Sequence, residues 1–268
     1  MRNQLVSILA LLLVTVGVQT AKADQVPDDM AWQLVDSYSP TTWDGFSLWD
    51  GHSMMDYQTD EGGWVHITNA AQLAKYAYDL FLDANVGNKS IYLECDIDLG
   101  DHTFSIARAS GNSFGKGKTN EGGYYQANHW RIVFDGRGHI IRNGQAVAHD
   151  TYAGLFGEIC YAVVKDLIVD NYTVNVGNSP TGCGVICGFA NKAIQITEND
   201  QHTELIRNDV YCEINNCRVM NCSVNGDIKN AGGMVGEGYC SFNGNSVINC
   251  TINTTQDKAG GIAGALHT

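Results

Sequence analysis

The stretch "AGGMVGEG" (residues 231–238) sets two glycines before a methionine and a valine and closes that apolar pair with a third glycine. Each glycine in regular structure costs roughly 0.5–1 kcal/mol relative to alanine, so a cluster of them needs a steric reason. Recurrence supplies one. Gly154-Leu155-Phe156-Gly157, Gly184-Val185-Ile186-Cys187, Gly233-Met234-Val235-Gly236 and Gly261-Ile262-Ala263-Gly264 are four copies of small-apolar-apolar-small, starting 30, 49 and 28 residues apart. The long interval holds a polar insert, residues 191–210.

A second element follows each of the first three copies: "VVKDLIVDNYTV" (163–174), "EINNCRVMNCSV" (213–224) and "SVINCTI" (246–252). The three align with Leu167, Cys217 and Cys250 at one position and Val169, Val219 and Ile252 two residues later. A long fixed period marks stacked units, and alternation of apolar residues inside each unit makes the units strands. The expected fold is all-β: a right-handed parallel β-helix in which equivalent strands stack in register with apolar side chains inward. The glycines then serve tight corners, where a Cβ would clash or φ must be positive. A β-sandwich with glycine-rich turns is the competing architecture, but it does not require matched inward positions.

The termini set the context. Arg2, an apolar run over residues 5–18 and the small residues Ala21 and Ala23 read as a secretory signal peptide, 1–23. The run is too short for a comfortable membrane span and no second one follows, so the mature chain is expected to be exported without membrane insertion. Removing residues 1–23 takes away Arg2 and Lys22 and leaves 14 basic against 29 acidic residues, a formal charge of −15. Such a surface repels nucleic acid and anionic membranes. Nine cysteines in an exported chain raise the question of disulfides. Cys217, Cys222 and Cys250 fall at inward strand positions, with Leu167 and Tyr172 in the slots of the first two in the preceding repeat, which favours packing as small hydrophobes. Pairing of some of the others stays open, whereas zinc lacks a histidine pair to complete a site.

Residues 24–63 read as a leader or linker containing "WDG" twice, with Trp43 and Trp49. These rings could stack on a sugar, although tryptophans so placed more often cover the end of a neighbouring core. From Thr68, a candidate N-cap, Leu73, Ala74, Ala77, Leu80 and Phe81 follow helical spacing. One helix followed only by strands suits a cap over an open sheet end. Residues 108–128 form a polar, glycine-rich loop.

At this point the chain resembles a known family. "WVHITNAAQLAKYAYDL", "IYLECDIDLG", "FDGRGHIIRN", "YAGLFGEI" and "GGMVGEG" followed by "VINCTI" are similar, in their order, to GLUG-motif repeat proteins, over residues 64–268. The resemblance implies an exported right-handed parallel β-helix of Bacteroides-type gut bacteria with an N-terminal helix cap, at the cell surface and often adhesin-like. Cys187 departs from the pattern by replacing the closing glycine of copy two. The array stops just after copy four, as in a fragment of a longer protein. The repeat carries no catalytic set to transfer.

Pectin-type enzymes of β-helix architecture place carboxylates on adjacent rungs of one outer face. Candidates here are Asp96, Asp98, Asp135, Arg137, His139, Asp166 and Asp170. Asp96 and Asp98 flank Ile97 and so share a face, as a carboxylate pair or a calcium site requires; no cofactor other than calcium is expected. Outward strand positions must be polar in any case, so structural roles are the simpler reading. The asparagines of five N-x-S/T triplets (Asn88, Asn171, Asn221, Asn249, Asn253) suit outward positions, where stacked amides can form a ladder. The expected function is non-enzymatic binding of a glycan or a host or cell-surface protein through one long face, with ligand contacts falling to Trp43, Trp49, Asp96 and Asp98. A β-helix polysaccharide lyase or glycoside hydrolase is the alternative.

Overall fold

In the computed structural model, residues 32–38, 41–42, 46–82, 89–107, 113–115, 131–147, 151–177, 180–198 and 205–267 are described. The signal-peptide segment, Trp43, Asn88 and nearly all of the 108–128 loop lie outside them. Within these residues the fold is all-β with one helix, and its strands form mainly parallel sheets.

Four parallel sheets carry the repeats. Sheet 1 joins Val65–Ile67, Ile91–Leu93, Ile132–Asp135, Ala162–Lys165, Cys212–Asn215 and Cys240–Asn243. Sheet 2 joins Ser47–Leu48, Ile97–Thr103, Ile140–Val147 and Ile168–Val176, then the split strands Arg218–Met220 with Ser223–Gly226 and Ser246–Ile248 with Thr251–Thr254. Sheet 3 joins Tyr152–Ala153, Gly182–Gly184, Asn230–Gly232 and Lys258–Gly260. Sheet 4 joins Phe156–Cys160, Cys187–Asn191, Val235–Gly238 and Ala263–Leu266. The chain visits the sheets in turn and returns to the first, pairing each strand with its counterpart one pass earlier. This β-helix-like order places Val169 beside Val219 and Val219 beside Val247. The polar insert is an antiparallel hairpin, Ala193–Glu198 with Leu205–Val210, leaving between sheets 4 and 1. It lengthens one interval without disturbing the stack.

The apolar residues of the repeated motif lie one above another. Leu155 N donates to Val185 O, Ile186 N to Met234 O and Met234 N to Ile262 O, at 2.8–2.9 Å. Leu155, Val185 and Met234 are fully buried, whereas Ile262 is 42% exposed, with no strand stacked beyond it among the described residues. Each buried aliphatic side chain of this kind contributes roughly 1.5–3 kcal/mol.

Three expectations of register are corrected. Sheets 3 and 4 repeat 48 residues apart across the insert, with Gly184 opposite Gly232 and Cys187 opposite Val235. Cys187 therefore replaces no glycine: the closing glycine of that copy is Gly188, whose own Cβ would strike Ala153 N at 2.5 Å. In sheet 2, Cys250 stands above Cys222, whose N–H reaches Cys250 Sγ at 3.4 Å, and Ile252 pairs with Val224. The slot above Cys217 belongs to Asn245, whose Oδ1 accepts the Cys217 N–H at 2.8 Å.

One bulge per pass interrupts sheet 2. Asn143, Asn171, Asn221 and Asn249 hold φ between 49° and 54°, in the left-handed region that asparagine tolerates best after glycine. The ladder shifts register between Arg142 and Gly144, and later strands divide at the same slot. The amides are joined outside the stack: Asn171 Nδ2 to Asn143 Oδ1 and Asn249 Nδ2 to Asn221 Oδ1 at 2.7 Å, while Asn221 Nδ2 donates to Asp170 Oδ1 at 2.7 Å. A second column, Asn175, Asn225 and Asn253, is linked in the same way.

Helix α1, Ala70–Leu82, packs against Val65–Ile67 and Ile97–Thr103 on one side and against the leader strand Ser53–Met54 on another. Eight of its thirteen residues are buried. The leader thus adds its own layer, Ser47–Leu48 opening sheet 2. The cap residue is Asn69, whose Oδ1 accepts the Gln72 N–H at 2.9 Å, and not Thr68; Gln72 Oε1 turns back to the Thr68 N–H at 2.8 Å. The pair forms a capping box displaced by one residue.

Candidate binding face

The carboxylates nominated from the alternating strand are held by the next pass of the chain. Asp96 Oδ1 accepts from His139 Nδ1 (2.9 Å) and from the Ile140 N–H (3.0 Å). Asp98 is 7% exposed; its Oδ1 accepts from the Gly100 N–H, and its Oδ2 from Arg142 Nε and Asn143 Nδ2, each bond 2.9–3.0 Å. The Arg142 guanidinium stacks on Phe46 at 3.5 Å. Calcium needs six to eight oxygen ligands, and here a guanidinium fills its place, so the pair does not fit that ion. The two residues fasten adjacent strands of sheet 2.

Trp49 does not present a face to a sugar. It is 1% exposed, donates Nε1–H to Ser53 O at 2.8 Å and packs edge-on against Trp32 and Phe104. The other nominated groups lie along the outer edge between sheets 1 and 2. Asp135 pairs with Lys165 Nζ at 2.6 Å, and Lys165 also meets Asp166 at 3.4 Å; the hydrogen bond to Asp135 leads in holding the ammonium pKa above its usual range. Asp166 accepts from Asn216 Nδ2 at 2.6 Å, and the Arg137 guanidinium lies 3.3 Å over the Tyr92 ring. A cavity of about 150 Å³ beside Asp166 and Asn216 is smaller than the roughly 300–1,000 Å³ of small-molecule sites.

Sheet 1 carries a more open arrangement that alternation alone did not expose. Four of its strands, from Ile132–Asp135 to Cys240–Asn243, are each preceded by a planar side chain in one slot, Arg131, Tyr161, Tyr211 and Tyr239, and His267 follows one period later, at intervals of 30, 50, 28 and 28 residues. Arg131 lies 4.9 Å over Tyr161, Tyr211 and Tyr239 stack at 6.0 Å and 6°, and Tyr239 meets His267 at 5.1 Å. Lys192 Nζ sits 4.7 Å over Tyr239. Tyr211 is 36% exposed, so the column reaches solvent. Arg131 also pairs with Glu213, and it lines a cavity of about 500 Å³ with Trp64, Lys89, Ser90 and Val133. That volume falls within the range of ligand sites. Next to it, His66 lies between Asp60 and Glu94, each 3.3 Å away, with the Tyr92 hydroxyl 2.5 Å from His66 Nε2. The Trp64 N–H leads in holding the Asp60 carboxyl below the usual range. The signal for this face was the fixed interval of the planar residues.

All nine cysteines are free thiols, six of them buried. Cys217 and Cys222 are 1% and 3% exposed, consistent with their role as small core residues.

No family model matches the chain, and no curated protein matches it. The structure is similar, with a TM-score of 0.34 and 18% identity over 78% of this chain, to a crystal structure from Bacteroides ovatus named "putative immunoglobulin A1 protease". The chain spans 64% of the length of that protein. A likeness of this degree carries no argument about activity.

Proposed function

We propose that the chain is a right-handed parallel β-solenoid of the GLUG type, exported by the segment at residues 1–23, that binds a glycan at the cell surface through the outer face of sheet 1. The carrying observation is the join at Arg131 between a 500 Å³ cavity holding Trp64 and an axial column of planar side chains. Aromatic rings accept the apolar faces of sugars, while Lys89, Arg131 and Glu213 offer hydrogen bonds to hydroxyl groups. A repeated surface suits a repeating polymer, because each weak contact adds to the next. Right-handedness follows the rule for parallel crossovers within one sheet. The nominated carboxylates serve as fasteners between strands, which favours binding over hydrolysis or elimination.

A glycan array probed with the protein tests this reading. Binding that falls at least tenfold in both Trp64→Ala and Tyr211→Ala is expected. Binding to cell-surface proteins with no glycan dependence would replace the ligand class, and no binding to glycan, mucin or cells would refute the reading.

A further inference from the structure

The outer corner between sheets 3 and 4 holds a second group of side chains. Glu158, Phe189 and Glu237 occupy one register column on three successive passes, so at about 4.8 Å per strand the backbones of the two glutamates stand roughly 10 Å apart with Phe189 between them. Tyr152, Gly182 and Asn230 form the neighbouring column. Gly182 leaves room for the Tyr152 ring, which stacks on Phe189 at 4.6 Å and 12°. Both rings are partly exposed. Burial and then Glu237 and Glu158 push the Tyr152 hydroxyl up to about 12, so both carboxylates act on this one ring.

Both carboxylates of this corner accept from neighbouring amides. Glu158 is 7% exposed and accepts from Asn191 Nδ2 at 2.9 Å. Glu237 accepts from Asn230 Nδ2 and lies 3.6 Å from His267 Nε2. Asn230 is 2% exposed and its Oδ1 meets no donor, which is unusual for a buried amide. Two carboxylates and an unmet carbonyl call for a donor-rich, positively charged group, and the partly exposed rings of Phe189 and Tyr152 attract the same charge.

We propose that this corner binds an ammonium or guanidinium group, presented by an amino sugar or by a basic peptide, with Glu237 and Asn230 Oδ1 as its acceptors and Phe189 as its aromatic wall. The proposal goes beyond the glycan reading and does not depend on it, because it uses neither Trp64 nor Tyr211.

Calorimetric titration of the protein with a chitosan tetrasaccharide, its fully N-acetylated counterpart and a tetralysine peptide tests it. At least one cationic ligand is expected to bind, the acetylated sugar is not, and Glu237→Gln is expected to weaken binding at least tenfold with Trp64→Ala unchanged. Chitosan binding alone assigns the amino sugar, and tetralysine binding alone assigns the peptide. Glu158→Gln and Phe189→Leu give the same readout if Glu237→Gln lowers the melting temperature. Failure of both cationic ligands, equal binding of the acetylated sugar, or wild-type affinity in the folded variants would overturn the proposal. Loss with Trp64→Ala alone would overturn it while leaving the glycan face standing.

Discussion

At the scale of the residue, the repeated glycines are explained by what lies on the next pass. A Cβ on Gly233 would stand 2.1 Å from Gly261 O, whereas one on Gly261, in the same slot a pass later, would meet nothing within 4 Å. Gly233→Ala is therefore expected to lower stability by about 2–3 kcal/mol, as over-packing against backbone does. Gly261→Ala should be neutral or stabilising by about 0.5 kcal/mol through the unfolded chain. Urea unfolding of the two variants checks the contrast. At the bulge, Asn221→Ala should cost about 1–2 kcal/mol from the lost ladder bonds and the left-handed backbone, and Asn221→Gly less. Burial pushes the thiols of Cys183, Cys212, Cys217 and Cys222 up to about 12. Few are thiolates at pH 8, so their alkylation should wait for unfolding and quicken as pH rises towards that value; mass spectrometry of alkylated peptides reads this.

At the scale of the element, local pattern carried much of the reading and failed where partners were remote. The spacing of Leu73, Ala77 and Leu80 was enough for α1, and alternation was enough for the strands within residues 91–99, 132–141 and 163–174, but not for Ser47–Leu48, Val65–Ile67 or Cys240–Asn243. The one-residue bulge at Asn221 and Asn249 was not visible as such, because a left-handed asparagine leaves no break in composition. Matching Cys250 to the first Asn-Cys pair, Asn216-Cys217, and not to the second, Asn221-Cys222, put it five residues from its true partner. The cap moved from Thr68 to Asn69 because both are good capping residues and only the Gln72 contacts distinguish them. Asn69→Ala should destabilise the protein by about 1 kcal/mol in thermal or urea unfolding, and Thr68→Val by less. Asp96 and Asp98 looked like a free pair from their own strand. Their holders, His139 and Arg142, come from the next pass, more than forty residues on.

At the scale of the whole molecule, the account rests on one return path that brings each strand beside its counterpart and each planar group beside the next. The same repetition that buries Leu155, Val185 and Met234 aligns Tyr211, Tyr239 and His267 outside, so the core and the proposed binding face follow from one period. The face was not read from the sequence, since the slot holding Arg131, Tyr161 and His267 shares planarity but not residue type. The most direct measurement is methyl–methyl nuclear Overhauser contacts in valine-labelled protein. Parallel stacking with intervals of 50 and 28 residues predicts contacts from Val169 to Val219 and from Val219 to Val247. Their absence, with contacts instead in an antiparallel order between these segments, would contradict it.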